Sequence, residues 1–147
     1  MSVDISAMGI KATIRAVPSF PVGFTLTQFA DDGDSLNVPD MTIMSHAMGV
    51  NGDMVVWRTA VPCQVDVNLI AGTDDCKNME NLFKLNMTQK NKTASKDLLT
   101  LTIEHPNGKI DVLTNGYIIA GKPVQDYSAS GRAKTRTFRM VFENNIN

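Results

Sequence analysis

The chain has 147 residues, 43% hydrophobic and 20% charged, and carries a net charge of −1. Those values suit one globular domain able to bury its own core, and they argue against a disordered tail, a fibrous repeat or a strongly basic nucleic-acid binder. Apolar runs such as Met54-Val55-Val56-Trp57 fall far short of the roughly 18 residues of a membrane helix. MSVDISAMG has neither the basic start nor the apolar core of a secretion signal. The expectation is a soluble protein kept in the cytosol, with Cys63 and Cys76 as thiols rather than a disulfide.

From Gly9 to Ala16, Ile10, Ala12, Ile14 and Ala16 alternate with Lys11, Thr13 and Arg15, the period-two pattern of a strand with one wet face. Pro18 and Pro21 interrupt it. A second strand alternates Phe24, Leu26 and Gln28 with Thr25 and Thr27. An acidic loop follows, holding Asp31, Asp32 and Asp34 and ending at Pro39-Asp40. Residues 41–59 read as a long β-hairpin: two apolar runs, containing Met44 and His46 on the first side, flank Asn51, Gly52 and Asp53. Asn-Gly between apolar runs signals a type I′ turn, which needs positive φ at both central residues. Met41, Met44 and Met48 also fit a helical spacing, so a short helix ending at Gly49 stays open for 41–48.

Cys63, Val65, Val67 and Leu69 alternate with Gln64, Asp66 and Asn68 in the cleanest strand of the chain. After Ala71-Gly72 the period changes, predicting one helix over about residues 74–88 with Cys76, Met79, Leu82 and Phe83 on its apolar face. Thr73 suits the N-cap, and Asp74 and Asp75 suit the positive end of the helix dipole. A polar loop with Lys90 and Lys92 leads to a strand built on Leu99, Leu101 and Ile103. Pro106-Asn107-Gly108 turns the chain into Lys109 to Thr114, and Asn115-Gly116 opens a further strand, Tyr117 to Ala120. The last strand, Ala133 to Phe142, puts Phe138, Met140 and Phe142 on one face with Arg136 in the same register. Seven to nine strands and one helix predict a mainly β fold, an antiparallel β-sandwich or partial barrel with one packed α-helix, as a single domain over 1–147.

None of the patterns that carry chemistry is complete. Asp31-Asp32-Gly33-Asp34 lacks the alternate spacing and distant glutamate of a calcium loop. His46, Cys63, Cys76 and His105 each stand alone, whereas structural zinc sites pair their ligands at close spacing. There is no G-x-S-x-G elbow, P-loop or dinucleotide fingerprint. The expectation is a protein that is not an enzyme and uses no metal or cofactor. The basic run from Arg132 to Arg139 would divide between two strand faces, with few aromatics on which to stack bases.

Charge is segregated along the chain. Residues 1–75 hold nine acids against three bases, and the remainder holds eleven bases against six acids, a split of −6 and +5. This reads either as a mixed surface or as two faces of opposite sign that attract copies of the same protein.

The order of the pieces GFTLTQFADDGDSLNVPDM, SHAMGVNGDMVVW, VDVNLIAGTDD, LTNGYIIAG and GRAKTRTFRMVFEN resembles the tail tube proteins of contractile-tailed bacteriophages, from about residue 9 to 143. Type VI secretion tube proteins are similar. The resemblance implies a virion structural protein: six subunits form a ring, and rings stack into a tube inside a contractile sheath around a channel for DNA. Implied partners are further copies of the chain, the sheath protein, baseplate, tail terminator and tape measure protein, with DNA held without sequence specificity and no membrane. The implied location is the virion tail, assembled in the host cytoplasm. Expected inter-subunit contacts are Asp31, Asp32, Asp34, Met44, His46, Asn51, Gly52, Asp53, Lys90, Lys92, Arg132 and Arg136, with the acids facing bases of a neighbour. A channel that lets DNA slide must not hold phosphates, so its wall is expected to be acidic or neutral. Two other readings remain: a monomeric β-sandwich binding module, which needs an exposed aromatic cluster, and another tail component or the tube of a phage-like injection machine.

Overall fold

A computed structural model describes residues 5–143. The ends of the expected domain, residues 1–4 and 144–147, lie outside the described residues. Nine strands and one helix follow in chain order: β1 (Lys11–Val17), β2 (Phe20–Leu26), β3 (Leu36–Asn37), β4 (Met44–Met48), β5 (Met54–Arg58), β6 (Cys63–Leu69), α1 (Asp74–Asn86), β7 (Leu98–Glu104), β8 (Ile110–Ala120) and β9 (Arg136–Phe142). Seven strands make one sheet in the order β2-β1-β7-β8-β9-β6-β3, while β4 and β5 make a separate two-stranded sheet. Every neighbouring pair is antiparallel and no barrel closes. The mainly β fold with one packed helix is therefore as the sequence predicts.

Alternation sets the core. Ala12, Ile14 and Ala16 of β1, Leu99, Leu101 and Ile103 of β7, Phe138, Met140 and Phe142 of β9, and Cys63, Val65, Val67 and Leu69 of β6 are all buried on one face of the sheet. The opposite phase is polar and rich in threonine. Successive strand residues point to opposite faces, so each strand covers the core with every second side chain and leaves the others to solvent.

The helix covers that core with the face predicted for it. Cys76, Met79 and Leu82 are buried, and Phe83 packs against the cluster with its ring 6.5 Å from that of Phe138. Thr73 caps the helix by accepting a hydrogen bond from the Cys76 N–H at 3.3 Å. Asp75 does more than complement the dipole: its carboxylate accepts the N–H groups of Thr27 and Gln28 at 2.8 and 2.9 Å, tying the helix to the chain leaving β2. At the other end Asp97, buried between the elements, accepts from Ser19 and from Asn86. The helix stops at Asn86, with Met87 extended, two residues short of the predicted end.

Three local expectations change. Pro21 lies inside β2 rather than breaking the chain before it, which is tolerated because β2 is an edge strand with a row of N–H groups facing away from the ladder. Asn115-Gly116 does not start a new strand, since β8 runs unbroken from Ile110 to Ala120. The pair forms an irregularity in that strand's pairing with β7: Asn115 has φ of 54°, and Gly116 lies beneath the ring of Phe142, which a Cβ would meet at 2.1 Å.

The hairpin turn also differs from the predicted type I′. The Gly49 N–H donates to Asp53 O and the Gly52 N–H to Gly49 O, and within the turn only Gly52 has positive φ. The same two bonds recur at His105 to Lys109 and at Ser128 to Arg132, with Gly108 and Gly131 in the matching left-handed position. All three turns share this longer form, in which one glycine follows a type I-like turn.

Candidate functional site

The hairpin β4–β5 stands apart from the rest of the molecule. It pairs Met44 with Arg58, His46 with Val56 and Met48 with Met54, and in alternate register Ser45 with Trp57 and Ala47 with Val55. Residues 41–48 are thus strand, not helix, apart from the lead-in. From Thr42 to Thr59 every residue except Ser45 is exposed. Among the described residues no other strand or helix packs substantially against β4 or β5.

Both faces of this hairpin are apolar. One carries Met44, Met48, Met54 and Val56, and the other carries Ile43, Val55 and Trp57, all among the exposed large hydrophobic residues. Val50 at the tip is fully exposed. Single exposed apolar residues are ordinary, but a contiguous patch marks a surface meant for contact. An isolated two-stranded hairpin is also marginal in water without a third layer. Of the predicted contact residues, Met44, His46, Asn51, Gly52 and Asp53 all lie on this arm.

The predicted acidic cluster is differently engaged. Asp31 accepts two bonds from the Arg132 guanidinium of its own chain at 3.1 and 3.3 Å, and Asp32 accepts from Thr135. These acids already have partners within their own subunit, because the fold brings the loop after β2 beside the loop before β9. The Arg132 hydrogen bond, then a backbone hydrogen bond and, least, the Arg132 charge hold the Asp31 carboxyl below its ordinary value. Asp34 joins the fold through its carbonyl, which accepts from Asn68 at 2.7 Å. The −6 and +5 halves of the sequence therefore meet in part inside one subunit, as they do again where Arg139 binds Asp66 at 3.0 Å.

Arg136 is likewise no surface contact. It is 2% exposed, donates to Glu80 at 3.1 Å and to Lys122 O at 2.7 Å, and its guanidinium lies 5.5 Å from the Phe138 ring centre. Its place in the register of Phe138 and Met140 already pointed inward. Glu80 also pairs with Lys84 at 2.7 Å. That bond, with the charges of Lys84 and Arg136, lowers the Glu80 pKa from 4.5 against the opposing effect of burial. Lys92 folds back onto Lys84 O at 2.6 Å, near the helix C-terminus, while Lys90 is exposed. Cys63 and Cys76 are free and buried, and burial raises both thiol pKa values.

Two concavities adjoin these groups. One, of about 280 Å³, lies between the helix and the loop before β9, where Cys76, Glu80, Gln125, Tyr127 and Arg136 line it. The other, of about 200 Å³, is mainly apolar and lies among Val38, Cys63, Val65, Ile103, Asp111 and Leu113. Among the described residues no group of three or more His, Cys, Asp and Glu side chains is arranged to hold a metal ion, and no helix is long and apolar enough to cross a membrane.

This architecture is that of chains in contractile injection assemblies. A chain of the anti-feeding prophage tube-terminating cap matches with a TM-score of 0.51 at 6% identity, covering 100% of this chain and 94% of that one. A chain of the sheath–tube complex of PVC, an extracellular contractile injection system in its extended state, matches with a TM-score of 0.52 at 8% identity, covering 99% and 93%. A chain of the six-fold symmetrised anti-feeding prophage baseplate matches with a TM-score of 0.51 at 8% identity, covering 100% and 96%. At such identities the likeness is one of fold.

The sequence supplies the family. The tail fiber protein gp32 family model, E217_Gp32, matches residues 3–146, and the chain belongs to that family. No curated protein matches it. The family is one of tail proteins, and the fold is one found in chains of contractile injection assemblies.

Proposed function

We propose that the chain is a tube subunit: six copies close a ring, and rings stack inside a contractile sheath around a channel through which DNA passes. The observation that carries this reading is the apolar hairpin, a long arm projecting from a body whose core is already complete. A contact between one patch and a different patch on the next copy closes rings or propagates filaments, according to the rotation it imposes. The sheet also leaves edges to be joined. Among the described residues the outer side of β2 has no partner strand, and β3 pairs with only Val67 and Asp66 of β6. The fold shared with a chain of a sheath–tube complex supports the same reading.

The channel wall then falls to the sheet face turned away from the core. Thr13 sits beside Thr25 and Thr102, and Arg15 beside Thr100. Lys11 lies opposite Glu104 and Arg139 is paired with Asp66, so most of the face's positive charge has a negative neighbour. Such a wall gives phosphates little to grip. Partners in this reading are the sheath, baseplate, terminator and tape measure proteins, and the single domain of residues 1–147 works in the virion tail after assembly in the host cytoplasm.

A second reading, a component that caps or joins the tube, is favoured by the likeness to chains of a tube-terminating cap and of a baseplate. The family description, a tail fiber protein, also names a tail part other than the tube. Electron microscopy of the purified full-length chain, with sedimentation in solution, separates these readings. Long hollow tubes support a tube subunit, single rings support a cap or joint, and a monomer at high concentration overturns self-assembly.

A further inference from the structure

We propose that Asn51, at the tip of the β4–β5 hairpin, is a site of spontaneous covalent modification: it loses its side-chain amide through a cyclic imide with Gly52 and becomes aspartate or isoaspartate. The Gly52 nitrogen gives up its proton to solvent and attacks the Asn51 Cγ. The new C–N bond closes the imide ring, and the Nδ2 group takes up a proton and leaves as ammonia. Water then opens either C–N bond of the imide. One opening yields aspartate, and the other yields isoaspartate, whose backbone runs through the former side chain. No oxidant, metal or second protein takes part, so this chemistry belongs to the single chain and does not depend on assembly.

The chain carries an Asn-Gly pair three times, at 51–52, 107–108 and 115–116. Glycine suits the step because it has no Cβ to obstruct the approach of its nitrogen, so what separates the three pairs is the fold around them. Asn115 is half-buried in β8 and donates from Nδ2 to Glu143 at 3.3 Å. Gly116 beside it is buried between its partners Leu99 and Phe142 on the two flanking strands, and the Phe142 ring crowds the space over it. That pair can react only when the sheet opens, at a cost that approaches the stability of the body.

The other two pairs form a matched comparison. Both lie in turns of the same form, with the Gly52 N–H donating to Gly49 O and the Gly108 N–H to His105 O, each at 3.0 Å. Both glycines have positive φ and open space around them, and Asn51 and Asn107 are both exposed. Two differences favour Asn51. The Asn107 Oδ1 accepts from the Lys109 N–H at 3.0 Å, which holds its carboxamide in place, whereas among the described residues no such bond holds the Asn51 side chain. The turn at 105–109 joins β7 to β8 inside the seven-stranded sheet, while the turn at 49–53 joins two strands that pair only with each other. The glycine nitrogen must leave its carbonyl before it attacks, and that opening is easier on a two-stranded hairpin, which is marginal by itself in water. Conversion places a new carboxylate beside Asp53 and makes the chain one unit more negative than its −1. Isoaspartate also lengthens the backbone of the turn that closes the Met48–Met54 pair.

Ageing of the purified full-length chain in mildly alkaline buffer tests this. Peptide mass spectrometry follows each pair, and an isoaspartyl methyltransferase with labelled S-adenosylmethionine counts isoaspartate. Asn51 is expected to convert first, ahead of Asn107 by about two- to tenfold, the effect of one more hydrogen bond on the barrier. Asn115 is expected to stay intact until both are well advanced. In denaturant the three rates should converge, because the pairs then share one chemistry without the fold. Asn51→Gln should remove the early acidic form that ion exchange resolves in the native chain. Conversion of Asn107 or Asn115 as fast as that of Asn51 in the folded chain overturns the assignment. So does a lead of Asn51 that persists in denaturant, which would place its cause in the local sequence. Aspartate at 51 without isoaspartate would replace the imide by direct hydrolysis and overturn the route.

Discussion

The body and the arm of this protein use the same strand alternation toward opposite ends. In the seven-stranded sheet, apolar residues of one phase meet the helix and each other, so Ile14, Leu101 and Phe138 are fully buried within a single chain. In the hairpin both phases are apolar and both remain exposed. The difference teaches that the body is built to fold and the arm to be completed by something else. Stability should therefore reside in the body and assembly in the arm, and substitutions can separate the two.

The largest expected loss of stability lies at Arg136. Arg136→Ala leaves the Lys122 carbonyl without its donor, leaves Glu80 with Lys84 as its remaining ion-pair partner and opens a cavity beside Phe138, so it should cost about 2–5 kcal/mol, the range for truncating a large buried side chain. Chemical denaturation measures it; an unchanged midpoint would mean the body does not depend on that pair. Next is Gly116→Ala, whose Cβ would meet the Phe142 ring at 2.1 Å. Overpacking of that kind costs about 1–3 kcal/mol, and Phe142→Leu in the same chain should restore part of the loss.

Acid should weaken the body by a smaller amount. The Glu80 pKa is lowered from 4.5 in the folded chain, so its contribution is present above the unfolded value and is lost as pH falls through the folded one. Melting temperature should drop below pH 4.5, and Glu80→Gln should flatten that acid-side decline. Equal slopes in the two proteins would assign the acid sensitivity elsewhere. Asp31→Asn should barely move the melting temperature, because the Asp31–Arg132 pair is solvent-exposed.

At the arm the smallest stability effect accompanies the greatest effect on assembly. Met48→Asp with Val56→Asp should leave the monomer's stability within about 0.5 kcal/mol, as is usual for surface positions, while abolishing rings and tubes in electron micrographs. A monomer that unfolds would show the arm to be part of the core. Normal tubes would remove it from the interface.

Periodicity was enough to read the strands of the core, the apolar face of α1, the inward register of Arg136 and the existence of the hairpin, because each depends on residues two to four positions apart. The candidate site was legible to the same depth: apolar runs around Asn51-Gly52 marked an arm, though not its detachment. What only the tertiary structure decided concerns residues far apart in the chain. Asp31 meets Arg132 across 101 positions and Asp66 meets Arg139 across 73, so acids that looked available to a neighbour are partly used within the subunit. Gly116 is required by Phe142 on the neighbouring strand, and the predicted start of a new strand is instead an irregularity in a continuous β8. Local spacing fixes which way a side chain points along its own element. Which group it meets depends on how the sheet orders its strands, and for the hairpin on whether any layer of the same chain lies close enough to cover it.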